Sequence, residues 1–120
     1  MANPNIYNVS SILGTTLVTT LVTTANTTLA VNAVSSGTVF KINSILASNT
    51  LASSAAAISL QVNNGSTDES IATNISIPAA STLVVVDKNS SFYLTEGYSI
   101  KGSSATNTSI DLLISYEVIN

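Results

Sequence analysis

Six carboxylates are the candidates for acid–base catalysis in this sequence. They are Asp68, Glu69, Asp87, Glu96, Asp111 and Glu117. A pair of carboxylates can hydrolyse glycosides, but only Asp68 and Glu69 are adjacent, and the chain has no His, Arg or Trp to orient a substrate. Without His no Ser–His pair can form, and the five Gly stand singly, so no glycine-rich phosphate loop is present. We therefore predict no catalytic residue and no enzymatic activity.

Metal-binding chemistry is restricted to oxygen ligands, because the chain has neither Cys nor His. Asn64, Asp68 and Glu69 share one polar segment and could supply the hard oxygen atoms that calcium prefers. A polar turn explains the same three residues equally well. We expect no cofactor and assign no metal site, and calcium binding stays open at this point.

Charged residues make up only 8% of the chain, whereas about 25% is usual. Their place is taken by 20 Ser, 16 Thr and 13 Asn. These small polar residues are unfavourable in helix interiors, because their side chains compete for backbone hydrogen bonds. Thr, Val and Ile, in contrast, suit a pleated sheet. The composition therefore favours an all-β protein.

The charge distribution also limits the partners of the chain. Its net charge is −3, and its three Lys form no cluster, so we expect no binding to nucleic acid, where Lys and Arg contacts to phosphate dominate. Apolar runs are far too short to span a membrane. The first residues carry neither a basic nor an apolar leader, so no secretory signal is visible. Either the protein is intracellular when it is made, or a signal has been removed. We expect a protein that is made in the cytoplasm and is not bound to a membrane.

Alternation of apolar and polar residues is typical of strands that bury one face. It is clearest in residues 56–62 and 110–118, and shorter runs occur near 71–77, 83–86, 92–94 and 98–101, with turn residues between them. In residues 40–47 the pattern sets Phe40, Ile42 and Leu46 on one face and Lys41, Asn43 and Ala47 on the other. About eight or nine short strands predict a single antiparallel β-sandwich, jelly-roll-like in form.

Residues 15–31 have an ambiguous pattern. Their four-residue repeat of Thr-Thr-Leu-Val would suit a helix, but their density of β-branched residues favours a strand, broken near Asn26. As a strand, both of its faces are half apolar, which is typical of a strand covered on both sides. Residues 1–9 are predicted to form an extended N-terminal arm, and residues 10–120 the sandwich domain.

The predicted outward faces carry Ser, Thr, Asn and Ala far more often than Lys and Glu. Isolated β proteins usually protect such surfaces with charge, especially Lys. We therefore predict that neighbouring subunits cover these faces. The predicted interface residues are Ile6, Tyr7, Leu17, Val18, Leu21, Val22 and Tyr93.

Four segments, 39–45, 77–85, 92–100 and 114–119, follow one another in an order that resembles a known group of proteins. It resembles small virion-associated β-sandwich proteins of tailed bacteriophages, notably those of marine cyanobacteria. The resemblance covers about residues 38–119 and consists of strand and turn patterns, including Pro78-Ala79 and Tyr93-Leu94 before Gly97. Tyr98 stands where those proteins commonly have Asp, but the turn remains.

The resemblance implies a non-catalytic virion component, and a capsid decoration subunit is the form we favour. Its partners would be copies of itself, as a trimer or a larger assembly, and other virion proteins such as the major capsid protein. Two alternatives stay open. One is a carbohydrate- or receptor-binding module of a tail fibre or neck, with loops 63–69 and 102–108 as its surface, and the other is a fimbrial or surface-layer subunit.

Overall fold

The computed structural model describes residues 9–21, 26–105 and 109–120, and this part of the chain is all-β. It contains nine strands and one short 3₁₀ turn, Lys88–Ser90. The strands are β1 (Ile12–Leu21), β2 (Thr27–Val31), β3 (Val39–Asn49), β4 (Ala56–Asn63), β5 (Asp68–Ile77), β6 (Thr82–Val86), β7 (Phe92–Leu94), β8 (Ser99–Ser104) and β9 (Ile110–Ile119). No helix in the described residues is long and apolar enough to cross a membrane.

The strands form two antiparallel sheets, which confirms the predicted sandwich. The first sheet has the order β1-β9-β3-β6, and the second has the order β2-β8-β4-β5. β7 also belongs to the first sheet and pairs with β3 at residues 40–42, whereas β6 pairs with β3 at residues 45–48. β6 and β7 therefore lie end to end along one edge of β3, and residues 87–91 separate them.

The predicted period-2 pattern is confirmed in β4 and β9. Ala56, Ile58 and Leu60 are buried from one face of β4, and Ile110, Leu112 and Ile114 from one face of β9. These side chains meet those of the opposite sheet in a single apolar cluster. Burial of apolar surface, at about 25 cal/mol per Å², is the main term that holds the two sheets together.

One prediction about β3 is wrong in its second half. Ala47 is buried and Leu46 is not, because β3 shifts register against β9 between Ile42 and Ser44. A bulge inserts one extra residue and so exchanges the two faces of the strand beyond it. After the bulge Ile45, Ala47 and Asn49 point into the sandwich. Leu46 consequently lies on the outside of the first sheet.

The strand reading of residues 15–31 is confirmed for its described part, since β1 and β2 are both strands. Tyr116 is partly buried, and its ring stacks on Phe40 with 5.0 Å between ring centres. Tyr93 faces outward and is 45% exposed. The predicted arm lies outside the described residues except for residue 9.

Two buried asparagines hold the loops at the ends of β3. The Asn49 side-chain amide donates to the carbonyls of Ser54, Ile77 and Pro78 at 2.9–3.2 Å, and its oxygen accepts from the Leu51 amide. Asn32 similarly donates to the carbonyls of Thr38 and Leu94 at 2.9 Å. These bonds satisfy backbone groups that the sheets leave unpaired.

Gly102 in β8 marks a close contact in the core. A Cβ atom at this position would lie 2.7 Å from Leu60 Cδ2 and 3.0 Å from Leu29 Cδ1. We expect Gly102→Ala to lower the free energy of unfolding by about 1–2 kcal/mol, because two packed leucines must shift. Gly14→Ala is the matched control, since nothing lies within 4 Å of its added Cβ. Urea unfolding followed by circular dichroism would measure both, and equal stability of the two variants would contradict the packing argument.

Candidate assembly surface

The six carboxylates do not converge on a catalytic site in the described residues. Asp87 caps the 3₁₀ turn, Asp111 accepts from Thr20, and Glu117 accepts from Asn43. Glu96 accepts from the Gly37 amide at 3.1 Å. No group of three or more Asp, Glu, His or Cys that could hold a metal occurs in that part of the chain. Each of these four carboxylates thus has a local structural contact.

The remaining pair, Asp68 and Glu69, begins β5. Asp68 accepts from the Asn63 amide at 2.6 Å and lies 3.4 Å from the Lys101 ammonium. The hydrogen bond from Asn63 is the largest effect on the pKa of Asp68 and lowers it. Desolvation opposes this shift, and the Lys101 charge adds to it. The side-chain oxygen of Asn64 accepts from the amides of Ser66 and Thr67. The three candidate calcium ligands therefore already serve a polar turn.

The surface with the most unusual composition is the outer face of the first sheet, meaning the face that points away from the second sheet. An apolar row crosses it at right angles to the strands. In this row Val18 lies opposite Leu113, Leu113 opposite Leu46, and Leu46 opposite Val84. Val18 is 69% and Val84 55% exposed, and the two leucines are partly exposed. We call these four residues the apolar row.

Hydroxyl side chains flank the apolar row on both sides. Thr20 donates to Asp111 at 2.7 Å, and Ser48 hydrogen-bonds to Thr82 at 2.9 Å on one side. Thr16, Ser115 and Ser44 lie opposite one another on the other side. The five strands of the first sheet contain only three charged residues, Lys41, Asp111 and Glu117. The outer face is therefore apolar at its middle and has short hydroxyl side chains in the rows beside it. The three charged residues also lie on this face, Asp111 in one of those rows and Lys41 and Glu117 farther along the strands.

The outer face of the second sheet differs in composition. Its central strands pair Ser59 with Ser103 and Gln61 with Lys101, and Lys101 forms the ion pair with Asp68. These are hydrophilic side chains with a charged pair, as expected for a surface in contact with water. The strands of each sheet carry three charged residues. Within the described residues the two outer faces therefore differ in the apolar row of the first sheet and not in their number of charges.

A groove lies beside the apolar row, where residues 87–91 separate β6 from β7. Its volume is about 450 Å³, and Lys41, Lys88, Asn43, Ser91 and Glu117 are among the residues that line it. Of the three lysines in the sequence, two therefore line this groove, and the third is Lys101.

The seven predicted interface residues have different positions. Val18 and Tyr93 are exposed on the first sheet. Leu21 is only 2% exposed and belongs to the core of its own chain, and Leu17 packs against that core. The interface prediction for Leu21 therefore stays a prediction, for a side chain that is buried in its own subunit. Ile6, Tyr7 and Val22 lie outside the described residues.

Sequence reasoning missed three members of the apolar row. The alternating pattern of residues 40–47 places Leu46 on the wrong face, because the bulge in β3 has no clear sequence signal. Leu113 and Val84 stand between inward-facing apolar residues in runs that are apolar on both faces. That two-sided character was the available signal, because a strand that is solvated on one face normally alternates with polar residues.

No protein-family model and no curated protein matches the chain. Among solved structures it is similar to two described as a pentameric capsid protein isolated from metagenomic phage sequences, at 16% identity and a TM-score of 0.35 in both cases. The match covers 91% of this chain and 62% and 60% of those chains, so this chain spans about three fifths of their length. A TM-score this low carries no argument about function.

Proposed function

We propose that the chain is a non-catalytic structural subunit of a bacteriophage virion, in the form of a capsid decoration protein. It would be made in the host cytoplasm and assemble with copies of itself, as a trimer or larger, and with virion proteins such as the major capsid protein. The apolar row on the outer face of the first sheet is the observation that carries this proposal. The order of segments in residues 38–119, similar to that of small virion β-sandwich proteins, supports the phage setting.

The apolar row is the kind of surface that a solitary protein would normally protect with charged residues. Contiguous apolar residues on an exposed sheet, bordered by short polar side chains, are typical of a contact surface. Val18 and Val84 do not belong to the core cluster of their own chain, and among the described residues Asp111 is the one charged residue in the apolar row or the rows beside it. Covering this row with a neighbouring subunit removes apolar surface from water at little desolvation cost, because few charges are buried with it.

The area of the outer face can be compared with the area that a stable interface buries. β1, β9 and β3 are each about 33 Å long, and β6 and β7 together add about 26 Å along the fourth position. With strands about 4.8 Å apart, the face presents roughly 600 Å². A stable interface buries about 800 Å² per partner. The outer face alone is therefore on the small side for a stable pair. Repeated copies that use several weak contacts can overcome this limit, because linked contacts multiply in strength.

The strand order supports the jelly-roll form of the sandwich. When β6 and β7 are counted as one interrupted edge strand, each sheet has four strands, and the chain crosses between the sheets at every connection except β4–β5. Eight strands in two four-stranded sheets is the jelly-roll arrangement, which is common in viral capsid and lectin domains.

Sedimentation velocity of the full chain over a range of concentrations tests the proposal. We expect the sedimentation coefficient to rise with concentration to that of a trimer or a larger species, and the association to survive high salt because few charges take part. A single monomeric species at the highest concentration would contradict the proposed function.

The groove beside β7 favours one alternative, a carbohydrate- or receptor-binding module. Lys41, Lys88 and Glu117 give it a net single positive charge, and Asn43 and Ser91 can hydrogen-bond to hydroxyl groups. Its volume is within the usual range for small-ligand sites, roughly 300–1,000 Å³. Saturation-transfer difference NMR with hexuronic acids and their neutral sugars would test it. A saturation-transfer signal that appears with the hexuronic acid and not with its neutral sugar would favour this alternative. The signal should be lost in the double variant Lys41→Gln/Lys88→Gln and kept in Lys101→Gln.

A further inference from the structure

The sandwich has four sheet edges, and three of them carry features that discourage pairing with another strand. β5 begins with two carboxylates, shifts register twice against β4, and holds Asn74 at a positive φ of 48°. The edge formed by β6 and β7 is interrupted by residues 87–91. β2 has only five residues and shifts register against β8. Charge, bulges and short length are the usual means by which proteins protect exposed edges.

β1 has none of these features. It pairs with β9 over ten residues, Ile12 to Leu21, without a register shift. It contains no charged residue and no proline. Its other edge pairs with no strand among the described residues. A long, regular and uncharged edge is a template for another strand, so the contrast with the other three edges points to β1 as a pairing site.

The interior of the sandwich is also open on this side. A cleft of about 240 Å³ lies between β1 and β2, and Leu17, Leu21 and Leu29 are among the residues that line it. Leu13 faces the same direction as Leu17 but is 64% exposed. Leu13 and the partly exposed Leu17 are thus reachable from outside at the edge of β1, and a neighbour seated there would cover them.

The sequence of β1 identifies this neighbour as a second copy of the chain. The residues on its inner face read Leu13, Thr15, Leu17, Thr19 and Leu21, and this order is symmetric about Leu17. In a two-fold interface, when residue i of one copy contacts residue j of the other, residue j of the first copy also contacts residue i of the second. The contact surface must therefore be complementary to itself. Antiparallel pairing centred on Leu17 sets Leu13 beside Leu21 and Thr15 beside Thr19, and both inner faces stay on the same side.

We propose that β1 pairs antiparallel with β1 of a second copy around a two-fold axis at Leu17, so that the first sheets of two subunits join into one continuous sheet. This deepens the proposed function and rests on it, because it names one contact through which copies assemble. The join lengthens the outer face across both subunits and supplies backbone hydrogen bonds that the outer face alone does not.

Single cysteines test this register without background, because the chain has no Cys. In the proposed pair the two Leu17 Cα atoms lie about 4.5–5.5 Å apart, within the range for a disulfide. The two Thr19 Cα atoms lie about 14 Å apart, since Thr19 is opposite Thr15. Under mild oxidation with diamide we expect Leu17→Cys to give a covalent dimer on a non-reducing gel and Thr19→Cys to give none. The variant Thr16→Cys/Val18→Cys, whose side chains are outward and exposed, should also cross-link if Leu17→Cys does not fold.

The outcomes separate this inference from the proposed function. If the wild type associates but neither Leu17→Cys nor Thr16→Cys/Val18→Cys cross-links, or Thr19→Cys cross-links equally well, the β1 pairing is wrong and association through the outer face stands. If the wild type stays monomeric in sedimentation, the proposed function fails, and the pairing fails with it.

Discussion

Replacing Asn49 with aspartate is expected to lower the free energy of unfolding by about 3–5 kcal/mol, the usual effect of leaving an uncompensated charge buried. The Asn49 amide donates to three backbone carbonyls, of Ser54, Ile77 and Pro78. An aspartate of the same shape has no hydrogen to donate and turns a negative oxygen toward those carbonyls. Domains of this size are stable by about 5–15 kcal/mol, so the variant should lose a large share of its stability.

Urea unfolding followed by far-UV circular dichroism measures this effect, since the chain has no Trp for fluorescence. Asn89→Asp adds the same charge at an exposed position and is the control. The loss for Asn49→Asp should shrink at acidic pH, because protonation restores one donor. Equal stability of the two variants at neutral pH would show that Asn49 does not hold the loops as described.

Replacing Leu113 with lysine is expected to weaken self-association about 30-fold or more. Leu113 lies in the middle of the apolar row, between Val18 and Leu46. An ammonium placed at the centre of a covered surface must lose water without gaining a partner, which costs about 2 kcal/mol or more. The folded subunit should tolerate the change, because the Leu113 side chain points outward in the monomer.

Ser103→Lys provides the matched control for this prediction. It adds the same charge to a central strand on the outer face of the second sheet, where Ser103 pairs with Ser59. We expect sedimentation velocity to show nearly unchanged association for Ser103→Lys and strong dissociation for Leu113→Lys, with both variants keeping the wild-type circular dichroism spectrum. Equal weakening by both variants would mean that added charge, and not its place on the first sheet, controls assembly.

The sequence was sufficient to predict the sheets where one face is buried and the other solvated. In β4 and at the start of β9, buried residues such as Ile58, Leu60 and Ile110 have a polar residue beside them, so the local pattern identifies the buried face. At Leu112–Ile114 the run is apolar on both faces, and the pattern does not show that Leu113 points outward. Register across strands could not be predicted, because it depends on which residues of distant segments meet. The bulge between Ile42 and Ser44 is one example, since the extra residue is accommodated by contacts with β9 and not by any local feature.

The sequence predicts that the chain has a charge-poor contact surface, but it does not identify the residues that form it. The scarcity of charge and the two-sided pattern in residues 15–31 directed attention to the region of β1, and Val18, one of the predicted interface residues, is exposed. The apolar row itself joins residues from four strands that are distant in sequence, and it exists only once the strand order is known. Likewise, the contrast between β1 and the other edges depends on bulges and interruptions that appear only in the folded sheets.

Hydroxyl-radical footprinting of dilute and concentrated protein tests the central claim most directly. That claim is that neighbouring subunits cover the outer face of the first sheet. Val18 and Val84 should become protected from oxidation as concentration rises, whereas Val31 and Ile75, exposed on the second sheet, should keep their reactivity. Unchanged oxidation of Val18 and Val84 at concentrations where the protein is assembled would contradict the account.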